Sequence, residues 1–181
     1  MAWTTPRAWV AGEGVDESIM NTHVRDNLIA LKTGRIGRLV TDVAPVGNVG
    51  VGEDDLITYS LPSSTLVTDG QAVRITAWGV TANNANAKTL KLYFGAMMAG
   101  SVALDTSSAS NWMVQALVIR TGAATQAALR YYGTHGTTFK GTGGTTTPTE
   151  TLSGAVTIKC TGDATADDDI QQTLMMVELL E

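Results

Sequence analysis

Hydrophobic and polar residues alternate along most of the chain after residue 36, in short runs that turn-forming residues separate. In residues 72–80, Val73, Ile75 and Ala77 fall on one face, with polar residues between them. Such period-two alternation is typical of strands that bury one face. The pattern predicts strands at residues 35–41, 56–61, 72–80, 89–95, 112–121, 127–133, 156–160 and 174–180. Short strands separated by turns predict a mainly β, antiparallel sandwich or barrel.

Residues 16–32 follow a helical pattern instead, with apolar residues recurring every three or four positions. The resulting apolar stripe consists of Met20, Val24, Leu28 and Leu31. Asp16 is placed to accept a hydrogen bond from a first-turn N–H group. A single short helix is marginal in water, so we expect its stripe to pack against another surface.

The first 14 residues predict an extended arm, because Pro6 fixes its own φ angle and glycines follow it. Trp3 and Trp9 lie in this arm, and they can fold back on their own domain or anchor into a neighbouring subunit. We therefore divide the chain into residues 1–35, an arm and helix for docking and trimerisation, and residues 36–181, a β-sandwich domain.

Composition narrows the class of protein. The 181 residues are 16% charged and 44% hydrophobic, with a net charge of −5. Residues 41–181 are acidic, with seven Lys and Arg against thirteen Asp and Glu, which argues against nucleic-acid binding. No apolar stretch approaches the roughly 18 residues that cross a membrane, and residues 1–6 do not resemble a signal peptide. We expect folding in a cytosol, with the single Cys160 as an unreactive strand residue.

Candidate chemistry is sparse. His23 and His135 lack the neighbours of a catalytic triad, and the carboxylate runs at 53–55 and 167–169 lack calcium-loop spacing. The glycines at 141–144 lack the lysine of a phosphate-binding loop. We therefore predict no enzymatic activity, no metal site and no cofactor.

Two features leave alternatives open. The strand aromatics can serve core and interface packing or form a platform on which sugars stack; they are Trp78, Tyr93, Trp112, Tyr131 and Tyr132. Residues 134–151 hold nine Thr and four Gly, a composition that predicts an exposed loop or hairpin held weakly or by subunit contacts.

The N-terminal residues resemble a module at the start of many phage structural proteins. Residues 3–13 (WTTPRAWVAGE) resemble its tryptophan-rich arm, and residues 20–28 (MNTHVRDNL) resemble its helix. Residues 61–62, 69–79, 88–95 and 118–122 resemble β-sandwich domains of phage fibre, tail and head-decoration proteins. The resemblance implies a trimeric virion protein, and with the strand pattern it favours an antiparallel, jelly-roll-like β-sandwich.

Three functions follow for testing. The first is a homotrimeric capsid decoration, or cement, protein bound to the head shell. The second is a tail-fibre or receptor-binding module, and the third, disfavoured by the lack of placed carboxylate pairs, is a polysaccharide hydrolase. The expected partners are further copies of the chain and the major capsid protein or another virion protein, with no nucleic acid and no membrane. The expected partner-binding residues are Trp3, Pro6, Trp9, Met20, Val24, Leu28 and Leu31.

Overall fold

The computed structural model of the protein describes residues 12–25, 27, 37–104, 109–140 and 144–180. The chain divides into two compact units, Met1–Gly37 and Arg38–Glu181.

The first unit contains a short helical segment. The α-helix α1 covers Glu17–Met20, and a π-helical turn continues it over Asn21–Arg25. Asp16 caps α1 as predicted, because its Oδ1 accepts a hydrogen bond from the Ile19 N–H at 2.8 Å. Over Asn21–Arg25 the α-helix predicted for residues 16–32 is wrong in type, since a π turn bonds i to i+5 and breaks the α period, whereas Asn27 is α-helical again. Residues 26 and 28–32 of that prediction lie outside the described residues.

The second unit consists of β-strands. In chain order they are β1 (Gly37–Asp42), β2 (Val46–Gly47), β3 (Gly52–Leu61), β4 (Ala72–Thr81), β5 (Lys88–Phe94), β6 (Met97–Leu104), β7 (Asn111–Gly122), β8 (Thr125–His135), β9 (Thr138–Phe139), β10 (Gly144–Thr146), β11 (Val156–Ala164) and β12 (Ile170–Leu180). The large sheet has the order β1-β12-β4-β7-β8-β10, with β2 beside β12 and β9 beside β8. The small sheet has the order β3-β11-β5-β6.

The strand pairs are nested along the chain. Strand β1 lies beside β12, β3 beside β11, β4 beside β7, and β5 beside β6. A long antiparallel hairpin that wraps around a core in this nested order is a jelly roll. The predicted antiparallel, jelly-roll-like β-sandwich is confirmed, and β8, β9 and β10 extend its large sheet.

The core lies between the two sheets. The predicted inward residues of β4, Val73, Ile75 and Ala77, are fully buried. Trp112 is also fully buried, and its Nε1 donates a hydrogen bond to the Val80 carbonyl at 3.1 Å. The large buried side chains around it include Phe94, Leu90, Ile158, Ile170 and Met175. Cys160 is buried in this core, and desolvation raises the pKa of its thiol, in agreement with an unreactive residue.

A buried glutamine joins the two sheets. Gln172 lies at an irregularity of β12, and its Oε1 accepts a hydrogen bond from the backbone N–H of Ile57 at 3.0 Å. Its Nε2 donates to the Leu174 carbonyl at 3.1 Å. Ile57 belongs to a bulge in which Leu56 and Ile57 both point inward. The amide therefore satisfies backbone groups that irregular strands leave unpaired.

The Thr- and Gly-rich segment is more ordered than its composition predicts. Strands β9 and β10, which lie within it, both pair with β8. Behind them, buried Gln126 donates to the Glu150 carbonyl at 2.9 Å and accepts from the Glu150 N–H at 3.0 Å. Backbone and amide hydrogen bonds supply the order here, so the low apolar content did not produce a weakly held loop in the described residues.

Candidate functional site

The outer face of the large sheet is apolar across four strands. Its residues form four cross-strand rows, given by the register of β12, β4, β7 and β8: Leu174–Trp78–Met113, Met176–Thr76–Gln115, Glu178–Arg74–Leu117–Leu129 and Leu180–Ala72–Ile119–Ala127. Trp78 is 46% exposed and Leu129 37% exposed, and the other large apolar members are half-buried. We call these four rows the apolar face.

The polar groups on the apolar face bind one another. Arg74 Nε lies 2.8 Å from the carboxylate of Glu178, and this hydrogen bond and the nearby charge raise the pKa of the Arg74 guanidinium. Gln115 Nε2 donates to Thr76 Oγ1 at 3.0 Å. Because these groups already have partners within the sheet, covering the apolar face costs less than it would if they were unpaired.

The outer face of the small sheet has the opposite character. Its alternate positions on β3, β11 and β5 carry Thr, Ser, Lys, Asp, Glu and Tyr. Glu53 is the centre of its main cluster, where it accepts hydrogen bonds from Thr161 Oγ1 at 2.6 Å, from Tyr93 OH at 2.9 Å and from Lys91 Nζ. The bonds from Lys91 and Thr161 lower the pKa of Glu53 to about 2. Lys159 lies over the Tyr93 ring at 5.5 Å.

One end of the sandwich holds a polar cluster in which three connections meet. Asn48, after β2, donates to the Ala166 carbonyl at 2.8 Å and accepts from the Ile170 N–H at 2.8 Å. Asp169, before β12, is fully buried and accepts hydrogen bonds from Asn84 and Asn86 of the β4–β5 connection. These bonds fix the three connections to one another.

The predicted partner-binding residues are placed only in part. Met20 and Val24 are exposed, at 46% and 36%. Trp3, Pro6, Trp9, Leu28 and Leu31 lie outside the described residues.

The apolar face was missed in the sequence, although a signal exists. In β7 and β12 the residues on the outward side are largely apolar, as well as those on the inward side. In β7 the outward residues include Met113, Leu117 and Ile119. A strand that is apolar on both faces within a two-layer sandwich indicates a third layer or a partner.

The alternative of a sugar-stacking platform is not supported by the placement of the aromatic residues. Trp78 is exposed on the large sheet, Tyr93 lies on the outer face of the small sheet, and Trp112 is in the core between them. Nothing is described for the side chains of Tyr131 and Tyr132. The two exposed or half-buried rings thus lie on opposite sheets, and the third is in the core.

Within the described ranges, no three His, Cys, Asp or Glu side chains are grouped so that they could hold a metal ion. His135 is buried, with Nε2 2.9 Å from Thr81 Oγ1. No helix in the described part of the chain has the length and apolar content to cross a membrane.

The chain has similar folds among solved structures but no matching family model. No protein-family model and no curated protein sequence matches the chain. Among solved structures, the chain is similar to the CBM2 module of the evolved Dit of Lactobacillus casei BL23 phage J-1, with 10% identity, a TM-score of 0.39, and coverage of 79% of this chain and 95% of that one. It is also similar to the Lotus tetragonolobus seed lectin, with 8% identity, a TM-score of 0.35, and coverage of 77% and 89%. Likeness at this level carries no argument about function, so the fold rests on the strand pairing above.

Proposed function

We propose that this chain is a non-catalytic structural protein of a bacteriophage virion, which assembles through its apolar face into a homotrimer and decorates the capsid as a cement protein. The resemblance of residues 3–13 and 20–28 to a phage structural module supports a location in the virion. The apolar face supports assembly into an oligomer. A virion location follows from this role, and the partners are further copies of the chain and the shell protein.

The size of the apolar face supports an interface. Four strands about 4.8 Å apart, covered over some seven residues of about 3.3 Å each, give a footprint of roughly 400 Å². A footprint of this size, ten of whose fourteen positions are apolar, is comparable with the largest apolar patch of a typical monomeric protein, and such a patch is often an interaction site. The internal pairing of Arg74 with Glu178 lowers the cost of burying the only charges in its four rows.

The oligomeric state of the full chain tests this proposal. Light scattering coupled to gel filtration, at micromolar concentration, is expected to give three times the chain mass. Leu117→Lys places a charge at the centre of the apolar face, and it should give a folded monomer. Ser60→Lys, on the outer face of the small sheet, is the matched control and should remain trimeric. A monomeric parent protein would overturn assembly through this face.

A tail receptor-binding module is the second candidate, and the polar outer face of the small sheet favours it. In an assembly closed through the apolar face, Tyr93, Lys91 and the other polar groups would remain accessible to a polar ligand. Copy number separates the two candidates. Quantitative gels of purified virions should give hundreds of copies for a decoration protein and at most tens for a tail module.

The attachment role of the N-terminal arm is tested separately. A variant lacking residues 1–14 should stay folded but fail to bind virus particles stripped of this protein, whereas the full chain should bind in near-stoichiometric amounts to the capsid protein. Equal coating by both forms would assign attachment to another part of the chain.

A further inference from the structure

A buried lysine, a carboxamide and a buried carboxylate lie in line at the end of the sandwich. Lys88 is 2% exposed and Asp169 fully buried. Between them, Asn84 accepts a hydrogen bond from Lys88 Nζ through Oδ1 at 2.6 Å, and it donates through Nδ2 to Asp169 Oδ1 at 2.5 Å. An amine, an amide carbon and a carboxylate that holds the amide nitrogen are thus placed together in a buried cluster.

We propose that Lys88 and Asn84 form an intramolecular isopeptide bond, with Asp169 as the group that positions the leaving nitrogen of Asn84. Since Nζ is 2.6 Å from Oδ1 and a carbonyl bond is about 1.23 Å long, Nζ lies within about 3.8 Å of the Asn84 Cγ. Reacting atoms in near-attack geometry are about 3–3.5 Å apart, so a small movement brings the amine to the carbon.

The reaction is balanced without any further reactant. The Lys88 ammonium gives up one proton to solvent, and the free amine attacks Cγ, forming the Nζ–Cγ bond as the carbonyl electrons move to Oδ1. In this intermediate a proton passes from Nζ to Nδ2, which Asp169 Oδ1 holds through its hydrogen bond. The Cγ–Nδ2 bond then breaks, its electron pair leaves with ammonia, and ammonia takes up the first proton. An ammonium and a primary amide become a secondary amide and an ammonium ion.

The surrounding contacts position all three groups. Lys88 Nζ also donates to the backbone carbonyls of Asn86 at 3.0 Å and Asn84 at 3.3 Å, which hold the amine beside the amide. Asn86 Nδ2 donates to Asp169 Oδ2 at 2.9 Å, and the Ala166 N–H donates to the same oxygen at 2.9 Å. Burial raises the pKa of Asp169, but the hydrogen bonds from Asn84, Asn86 and the backbone outweigh it and lower the pKa overall. The carboxylate is therefore ionised, the form that accepts the hydrogen bond from Asn84 Nδ2.

The geometry distinguishes Lys88 from the lysines of the outer face of the small sheet. Lys91 and Lys159 bind the carboxylates of Glu53 and Asp55, and no carboxamide is among the side-chain partners found for either in the described structure. A lysine beside a carboxylate forms an ion pair, and the carboxylate has no ammonia to lose in forming an amide bond. The bond would close the β4–β5 connection covalently, at the point where it meets the β11–β12 connection.

Mass spectrometry of the full, natively folded chain tests the proposal. The intact mass should be lower than the sequence mass by one ammonia, and proteolysis should yield a peptide in which Lys88 is joined to Asn84. Lys88 should resist both trypsin and acetylation after denaturation. Lys88→Arg retains a buried cation, and this variant should have the full mass of its own sequence.

Two outcomes would overturn the proposal. A parent protein with its full sequence mass and an acetylatable Lys88 would show that the site is a hydrogen-bonded ammonium cage and nothing more. A mass deficit that persists in Lys88→Arg, and that hydroxylamine cleaves at Asn84 or Asn86, would identify a succinimide instead. Because both results come from the parent and a charge-conserving variant, the test does not depend on the folding of an Asp169 variant.

Discussion

Replacing Trp78 by threonine measures how much the apolar face contributes to association of the subunits. Trp78 points outward from β4 and is 46% exposed, so the change removes no side chain from the core. Threonine also favours strands, and the monomer should therefore keep its fold and its thermal stability within about 0.5 kcal/mol.

The expected loss of association follows from the exposed area. A tryptophan buries about 150–250 Å² when fully covered, so roughly 100 Å² of Trp78 remains for a partner to cover. At about 25 cal/mol per Å², this area stabilises the assembly by about 2.5 kcal/mol per subunit. For three subunits the midpoint concentration of trimer dissociation should rise by roughly a hundredfold or more.

Analytical ultracentrifugation over a concentration series measures that midpoint. Met98→Thr is the matched control, because Met98 is exposed to a similar degree, 39%, but lies on β6 of the small sheet. The control should dissociate at the concentration of the parent protein. An unchanged midpoint for Trp78→Thr, or an equal shift in the control, would refute the assignment of the apolar face.

Three further changes probe the fold. Gly79→Ala should lower the free energy of unfolding, measured by urea titration, by about 1–3 kcal/mol, or should prevent folding altogether, because a Cβ there would lie 2.1 Å from a backbone oxygen and 2.3 Å from a buried indole. Gly154→Ala is the control and should be close to neutral, since the nearest atom to its Cβ would be 3.6 Å away. Gln172→Leu should cost about 1–3 kcal/mol in the same titration, since it leaves buried backbone groups without a partner, whereas the half-buried Gln171→Leu should cost less. Because the folded pKa of Glu53 is lowered from 4.5 to about 2, its stabilisation is present above pH 4.5 and disappears as the pH falls towards 2; melting temperatures of the parent should therefore fall more steeply over that range than those of Glu53→Gln.

The sequence predicted the sandwich where a strand has one clear inward side. Strand β4 shows this, because Val73, Ile75 and Ala77 all point into the core. The prediction missed β6, whose Ala, Gly and Ser residues have low strand propensity and are held by pairing with β5. Pairing is a tertiary property, so local composition does not reveal it.

The candidate sites were harder to predict for a related reason. The apolar face depends on the register of four strands, and its rows join residues as far apart as Trp78 and Leu174. The cluster at the end of the sandwich brings Asp169 to Asn84, 85 positions away, whereas the sequence shows only a run of three carboxylates at 167–169. Asp169 is nevertheless buried, because hydrogen bonds from two asparagines offset the cost of its burial.

The nested strand order has a consequence for how the protein is made. Strand β12 occupies the interior of the large sheet, between β1 and β4, and it follows all the other described strands along the chain. In the described structure β1 pairs with β12, so this pair cannot form until residues as far as Leu180 have left the ribosome. Since contacts between distant segments close slowly, we expect folding after translation, on a timescale of roughly milliseconds to seconds. Until then the apolar residues of β4 and β7 are exposed, and chaperones will have their longest opportunity to bind the nascent chain at those strands.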